Sequence, residues 1–187
     1  MRIGILGGTF NPPHIGHLIL AEEARDRFRL DKVFFIPNYF PPHKDVPLAK
    51  AEDRLEMVKL SIKDNKNFVC LDIEIKRGGR SFTIDTVRQL RKRYPNEELF
   101  LILGSDLAKD FATWKGYRQL LGMVKVLVAK REGDVTGKNK LGFIFFDVVQ
   151  VDVSSSLIRE RIKEGLPIKY LVHPQVERFI KRRRLYR

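Results

Sequence analysis

The chain of 187 residues is 43% hydrophobic and 32% charged, with 36 Lys and Arg against 23 Asp and Glu and a formal net charge of +13. This is the balance of a globular protein of one domain's length, able to bury a core without disulfide or metal staples, and no apolar stretch approaches the roughly 20 residues of a membrane span. A single cysteine excludes a disulfide framework, and with His43 and His173 distant in sequence no usual zinc spacing appears.

The first element is a short apolar strand over Arg2 to Leu6, too short for the core of a secretory signal, so a reducing cytoplasm is the expected compartment. It runs into Gly7-Gly8-Thr9-Phe10-Asn11-Pro12-Pro13-His14-Ile15-Gly16-His17, a glycine turn that leads into a helix extending to Phe28. Residues three apart share a helix face, so His14 and His17 are expected one above the other on its first turn, facing the loop. A helix N-terminus has unpaired N–H groups and partial positive charge, and Gly16 is expected to leave room for an approaching phosphate. By themselves the two histidines could equally be functional or plain, the plain readings being a solvated face or a metal half-site that lacks a third ligand at any usual spacing.

Further strands are expected over Val33 to Ile36, Phe68 to Ile75, Leu99 to Leu103, Lys125 to Ala129 and Phe143 to Phe146. Helices are expected over Ala51 to Lys63, Thr83 to Tyr94 and Lys115 to Leu121, with one more beginning in Ser154-Ser155-Ser156 and another after Pro174. The proline-rich stretch from Pro37 to Pro47 reads as a loop, and Cys70 as a buried, inert thiol. Alternating strands and helices, with strands apolar throughout, predict an α/β fold: a Rossmann-like doubly wound parallel sheet with helices on both faces and a short helical C-terminus. Ligands of such sheets lie beyond the carboxyl ends of the strands, where the polar candidates cluster. The basic clusters Arg88 to Arg93 and Arg178 to Arg187 lack an aromatic-interleaved nucleic-acid signature and read as solvated charge, with a positive field that attracts nucleotides.

Gly8-Thr9-Phe10 with His14-x-Gly16-His17 resembles the signature of the His-x-Gly-His nucleotidylyltransferases. Pro41-Pro42-His43-Lys44, Ser81-Phe82-Thr83-Ile84-Asp85-Thr86, Leu103-Gly104-Ser105-Asp106 with Trp114, and Val153-Ser154-Ser155-Ser156-Leu157-Ile158-Arg159 are similar, in order, to motifs of bacterial nicotinate-nucleotide adenylyltransferases. The resemblance implies one nucleotidylyltransferase domain over residues 1–187, transferring an adenylyl group from ATP to nicotinate mononucleotide and releasing pyrophosphate. It implies that His14, His17 and Arg159 are catalytic, and that Gly7, Gly8, Thr9, Phe10, Gly104, Asp106, Arg131, Ser154, Ser155 and Ser156 bind ATP. Lys44, Thr83, Asp106, Trp114 and Lys115 would bind the acceptor: Trp114 stacking on the ring, Asp106 on ribose hydroxyls, and the N–H groups around Thr83 and Lys115 on the carboxylate. Mg²⁺ would be held mainly through the ATP phosphates, without a dedicated set of protein ligands.

Each of these residues also has a plain structural reading: a serine as helix cap, Trp114 as core anchor, Lys44 and Arg131 as surface charge. Two positions depart from the family pattern, Phe82 in place of a usual tyrosine and Lys115 in place of a usual aromatic residue, so ring specificity is open to nicotinamide mononucleotide as well. Phosphopantetheine adenylyl transfer, ATP binding without catalysis and nucleic-acid binding compete with this activity. A homo-oligomer is compatible with the sequence.

Overall fold

The computed structural model describes residues 1–41, 49–130 and 141–187. Among them, β1 (Arg2–Gly8), β2 (Lys32–Pro37), β3 (Phe68–Cys70), β4 (Glu98–Gly104), β5 (Lys125–Ala129) and β6 (Ile144–Phe146) form one parallel sheet in the order β3-β2-β1-β4-β5-β6. The central β1 places Ile5 between Phe34 of β2 and Leu101 of β4. Alternate residues then feed two cores. Ile3, Ile5, Ile36, Leu101 and Leu103 face α4 (Thr83–Arg93), which buries Ile84, Val87 and Leu90 at helical spacing. Leu6, Phe35, Ile102 and Leu127 face α1 (Ile15–Arg27) and α2 (Ala51–Ile62). Ala21 and Ala24, both fully buried on α1, let that helix approach the sheet closely.

Helices therefore cover both faces, as the unbroken apolar strands require. The order reverses at β1: its own connection runs to the α1 face, whereas that of β4 runs through α5 (Ser105–Lys109), a 3₁₀ turn at Phe111–Thr113 and α6 (Tyr117–Leu121) on the α4 face. A crevice opens where the two connections diverge.

A third apolar cluster stands apart from the sheet. α7 (Ser155–Lys163) and α8 (Pro174–Arg183) bury Ile158, Val176, Phe179 and Ile180 with Met57 of α2. Each such side chain contributes about 1.5–3 kcal/mol on burial. α8 starts cleanly, with Pro174 in its first turn and His173 accepting from the Gln175 N–H at 3.2 Å. It ends at Arg184 in the left-handed region, φ 52 and ψ 39.

Two expectations need correction. The strand expected to Ile75 ends at Cys70, because β3 is an edge strand paired to β2 over three residues; Ile73–Arg77 instead forms a short helix, α3, stopped by Gly78 at φ 68. The apolar Ile73 and Ile75 suit either period over so short a span. The helix expected from Lys115 starts at Tyr117, since Gly116 occupies a left-handed φ of 67 before it. Part of the basic cluster on α4 is also internally engaged: Arg91 donates to the carbonyls of Pro95, Glu97 and Met123. No described helix is long and apolar enough to cross a membrane.

Candidate active site

Two cavities open beyond the carboxyl ends of β1 and β4, of about 520 and 220 Å³. They share Gly7, Gly8, Thr9, Pro41, Leu103 and Leu107, and so meet over the end of β1. A side chain at Gly7 would project into open space, whereas one at Gly8 would lie 3.1 Å from the ring of Phe10. Phe10, at φ 49, buries that ring edge-on to His17, with centroids 5.0 Å apart. The two glycines thus serve different ends, an empty space and a close-packed ring.

His14 occupies the N-cap of α1, with φ −137 and ψ 171, one residue before the expected helical position. The cap does bring the histidines together, with ring centroids 3.8 Å apart. The backbone N–H of His14 donates to His17 Nδ1 at 3.1 Å. A ring nitrogen that accepts carries no proton, so the His17 proton resides on Nε2. His14 is different: burial lowers its pKa to about 4, leaving it neutral near pH 7. Its Nδ1 is buried and has no hydrogen-bond partner among the described residues. Such an atom in a polar cleft calls for a ligand or an ordered water. Gly16 lines the larger cavity, and a Cβ there would stand 3.1 Å from His14 Nδ1 and 3.2 Å from Val153. Its missing side chain makes room for the His14 ring and Val153.

The start of α7 borders the same cavity. Neither α1 nor α7 has an acidic residue in its first turn, so two positive helix ends converge there unneutralised. The three serines divide their roles. Ser154 caps α7, accepting from the Leu157 N–H at 3.1 Å; Ser155 donates to the Pro12 carbonyl at 2.8 Å; Ser156 accepts from Arg159 at 3.1 Å. Arg159 lines the cavity and donates also to the Asn11 carbonyl at 2.9 Å. Two of its five N–H groups suffice for these bonds. Gly104 and Asp106 border this cavity as well, and Gly104 leaves room for the Asp106 carboxylate, which would be 2.7 Å from a Cβ there. Asp106 does not line the smaller cavity. Lys44, His43 and Arg131 lie outside the described residues.

Thr83, Trp114 and Lys115 line the smaller cavity. Thr83 is the first residue of α4, with Phe82 at the N-cap, so its N–H belongs to those a helix leaves unpaired. Trp114 packs against buried Phe111, with centroids 5.1 Å apart. The two positions that depart from the family pattern touch each other: Lys115 Nζ lies 4.4 Å from the centre of the Phe82 ring, and 3.8 Å from Asp85. Cys70, expected to be buried, is half-buried, and that burial pushes its thiol up to about 12, away from the thiolate a nucleophile needs.

Several polar residues that shape the site carry no motif. Arg54, 1% exposed, donates to the carbonyls of Thr9, Tyr39 and Ala49 and to Asn38 Oδ1, joining the loops after β1 and β2. Glu74 lines the smaller cavity and accepts from Thr86 at 2.6 Å, while Arg77 donates to the same hydroxyl at 3.0 Å. The one signal for Arg54 is its spacing with Met57, Val58 and Ser61 on the buried face of α2.

Comparison with known proteins bears on what this geometry is for. The cytidylyltransferase-like family model matches residues 5–161. A probable nicotinate-nucleotide adenylyltransferase of Shouchella clausii is 44% identical over 99% of this chain and 96% of its own. Another, of Halalkalibacterium halodurans, is 46% identical over 100% and 91%. Among solved structures, Plasmodium falciparum nicotinic acid mononucleotide adenylyltransferase complexed with NaAD superposes with a TM-score of 0.82 over 99% of this chain and 97% of that one. At 18% identity it speaks for the fold alone. The phosphate-suited cleft, the adjoining aromatic pocket and this end-to-end likeness agree: the chain belongs to the cytidylyltransferase-like family and, within it, to the nicotinate-nucleotide adenylyltransferases.

Proposed function

We propose that the protein transfers the adenylyl group of ATP to nicotinate mononucleotide, forming deamido-NAD and pyrophosphate in NAD biosynthesis, with residues 1–187 acting as one domain. The observation that carries this reading is the meeting of a larger cleft, ringed by His14, His17, the serines and Arg159, with a smaller aromatic pocket over Gly7 to Thr9. A phosphate oxygen of the acceptor attacks the α-phosphorus of ATP; its new P–O bond forms as the bond to the β,γ-pyrophosphate breaks, and the electron pair leaves with pyrophosphate. The acceptor phosphate is already largely ionised near pH 7, so no general base is needed. Catalysis then rests on alignment and on donors aimed at oxygens that gain charge.

His17 donates from Nε2, and neutral His14 adds a second imidazole beside it. Gly7, Gly8, Thr9 and Phe10 bring backbone to the phosphates; Ser154, Ser155, Ser156 and Arg159 receive the outer ones, with Arg131 as a further phosphate-binding charge. Gly104 borders ATP, Asp106 holds ribose hydroxyls, Trp114 stacks on the pyridine ring, backbone N–H groups at Thr83 and Lys115 meet the nicotinate carboxylate, and Lys44 meets the acceptor phosphate. Among the described residues no cluster of three or more His, Cys, Asp or Glu could hold a metal ion. Mg²⁺ arriving on ATP would supply neutralisation of phosphate charge at this site, held through the phosphates rather than by protein ligands. The cytoplasm is the compartment that fits these substrates.

The test is pyrophosphate release from ATP and Mg²⁺ with nicotinate mononucleotide, nicotinamide mononucleotide or phosphopantetheine in parallel. Turnover is expected with the first, and His17→Ala should lower it by about 10²–10³-fold without unfolding the protein. Equal turnover in that variant refutes the mechanism; preference for another acceptor refutes the ring assignment.

A further inference from the structure

The loop that carries the histidines is held largely from outside the sheet. The Asn11 carbonyl accepts from Arg159, the Pro12 carbonyl from Ser155, and the Ile15 N–H donates to the Leu171 carbonyl at 3.0 Å. With prolines at 12 and 13, this stretch has carbonyls to offer and few N–H groups, so it depends on donors brought from elsewhere.

The side chain of Asn11 has one such donor. The hydroxyl of Tyr186 donates to Asn11 Oδ1 at 2.7 Å in a buried contact, across 175 residues of sequence. Tyr186 is 8% exposed and belongs to the third apolar cluster. It reaches the loop because the chain turns back after α8, with Arg184 and Tyr186 both at positive φ, 52 and 66. Arg54 donates to the Thr9 carbonyl and Arg159 to the Asn11 carbonyl, so the bond from Tyr186 joins others that hold the same loop. Nothing in a tyrosine near the end of a basic stretch marks it for this role.

We infer that Tyr186 is a positioning residue for the transfer reaction: through Asn11 it sets the conformation of residues 9–14 and so the placement of His14 and His17. The inference rests on the proposed reaction at this loop. A residue that only stabilises the fold would change melting temperature; a positioning residue changes kcat while substrate affinities stay put.

Three variants separate the cases. Tyr186→Phe removes the hydroxyl and keeps the ring, and should lower kcat with ATP and nicotinate mononucleotide by about five- to ten-fold, the worth of one hydrogen bond, with each KM within about two-fold of wild type. Asn11→Ala should lower kcat comparably, and adding Tyr186→Phe to it should cost nothing more. Val176→Ala, which opens a cavity in the same cluster without touching the loop, should lower the melting temperature at least as much and leave kcat unchanged. The His17 side-chain ¹⁵N resonances of the free protein give a readout that needs no substrate. They should report a single Nε2-protonated tautomer in wild type and Val176→Ala, and a mixture in Tyr186→Phe. Unchanged kcat and unchanged His17 resonances in Tyr186→Phe overturn the inference, as does an equal kcat loss in Val176→Ala. If wild type itself turns over none of the acceptors, the fault lies with the proposed reaction, and the His17 resonances alone decide the role of Tyr186.

Discussion

Replacing His14 by asparagine should change how the protein's stability depends on pH. Burial lowers the His14 pKa from 6.5 to about 4. Between those values the unfolded chain binds the proton and the native chain does not. Acid therefore favours unfolding, and the penalty appears as pH falls through 6.5 and levels off below about 4. From about pH 7 to pH 5 the two values imply a loss near 2 kcal/mol, a substantial part of a domain's total of about 5–15 kcal/mol. Asparagine has no titrating ring and is itself a favoured N-cap, so His14→Asn preserves the helix start. Urea unfolding of both proteins across this range, with the two curves subtracted, cancels the carboxylates they share. The wild type should lose about 2 kcal/mol relative to the variant. An anion beside the ring favours its protonated form, so saturating ATP should shrink that difference. Parallel curves would refute the burial-driven neutrality of His14.

Arg54→Met should destabilise the protein by about 3 kcal/mol, because four acceptors lose a buried donor at once. Thermal unfolding checks this, and loss of turnover beyond the unfolded fraction would show Thr9 released from its place. Trp114→Ala should raise KM for nicotinate mononucleotide by about ten-fold with KM for ATP unchanged, since the ring lines only the smaller cavity. Lys115→Ala should leave the choice between nicotinate and nicotinamide acceptors within about two-fold, because its ammonium is engaged by Phe82 and Asp85; a larger change would assign specificity to the ammonium.

The strands, most helices and the two parts of the site are legible in the sequence because they express local rules. Short unbroken apolar runs such as Leu99 to Leu103, alternating with helix-period segments, read as strands buried on both faces, and the start of β1's following helix announces itself through Gly7-Gly8 and the histidines. Where two local rules coincide the reading fails: Ile73 and Ile75 fit a strand or a helix, and only the three-residue pairing of β3 decides between them. The supporting contacts are hidden for another reason. Arg54, Glu74 and Tyr186 act through partners 45, 12 and 175 residues away, and no spacing within a single element encodes such a partner. Gly16 has a second reason to lack a side chain that is hidden in the same way, because its neighbour across the gap, Val153, also comes from far along the chain.

The bonds from Ser155, Arg159 and Tyr186 to the histidine loop span 143, 148 and 175 residues. None of these donors exists until the last third of the chain has been made. During synthesis the loop leaves the ribosome long before its donors do, and its unpaired carbonyls remain satisfied by water until α7 and α8 have docked on α2. A sheet that has already assembled would therefore precede a competent site, and the growing chain would have little capacity to bind nucleotide before its fold is closed.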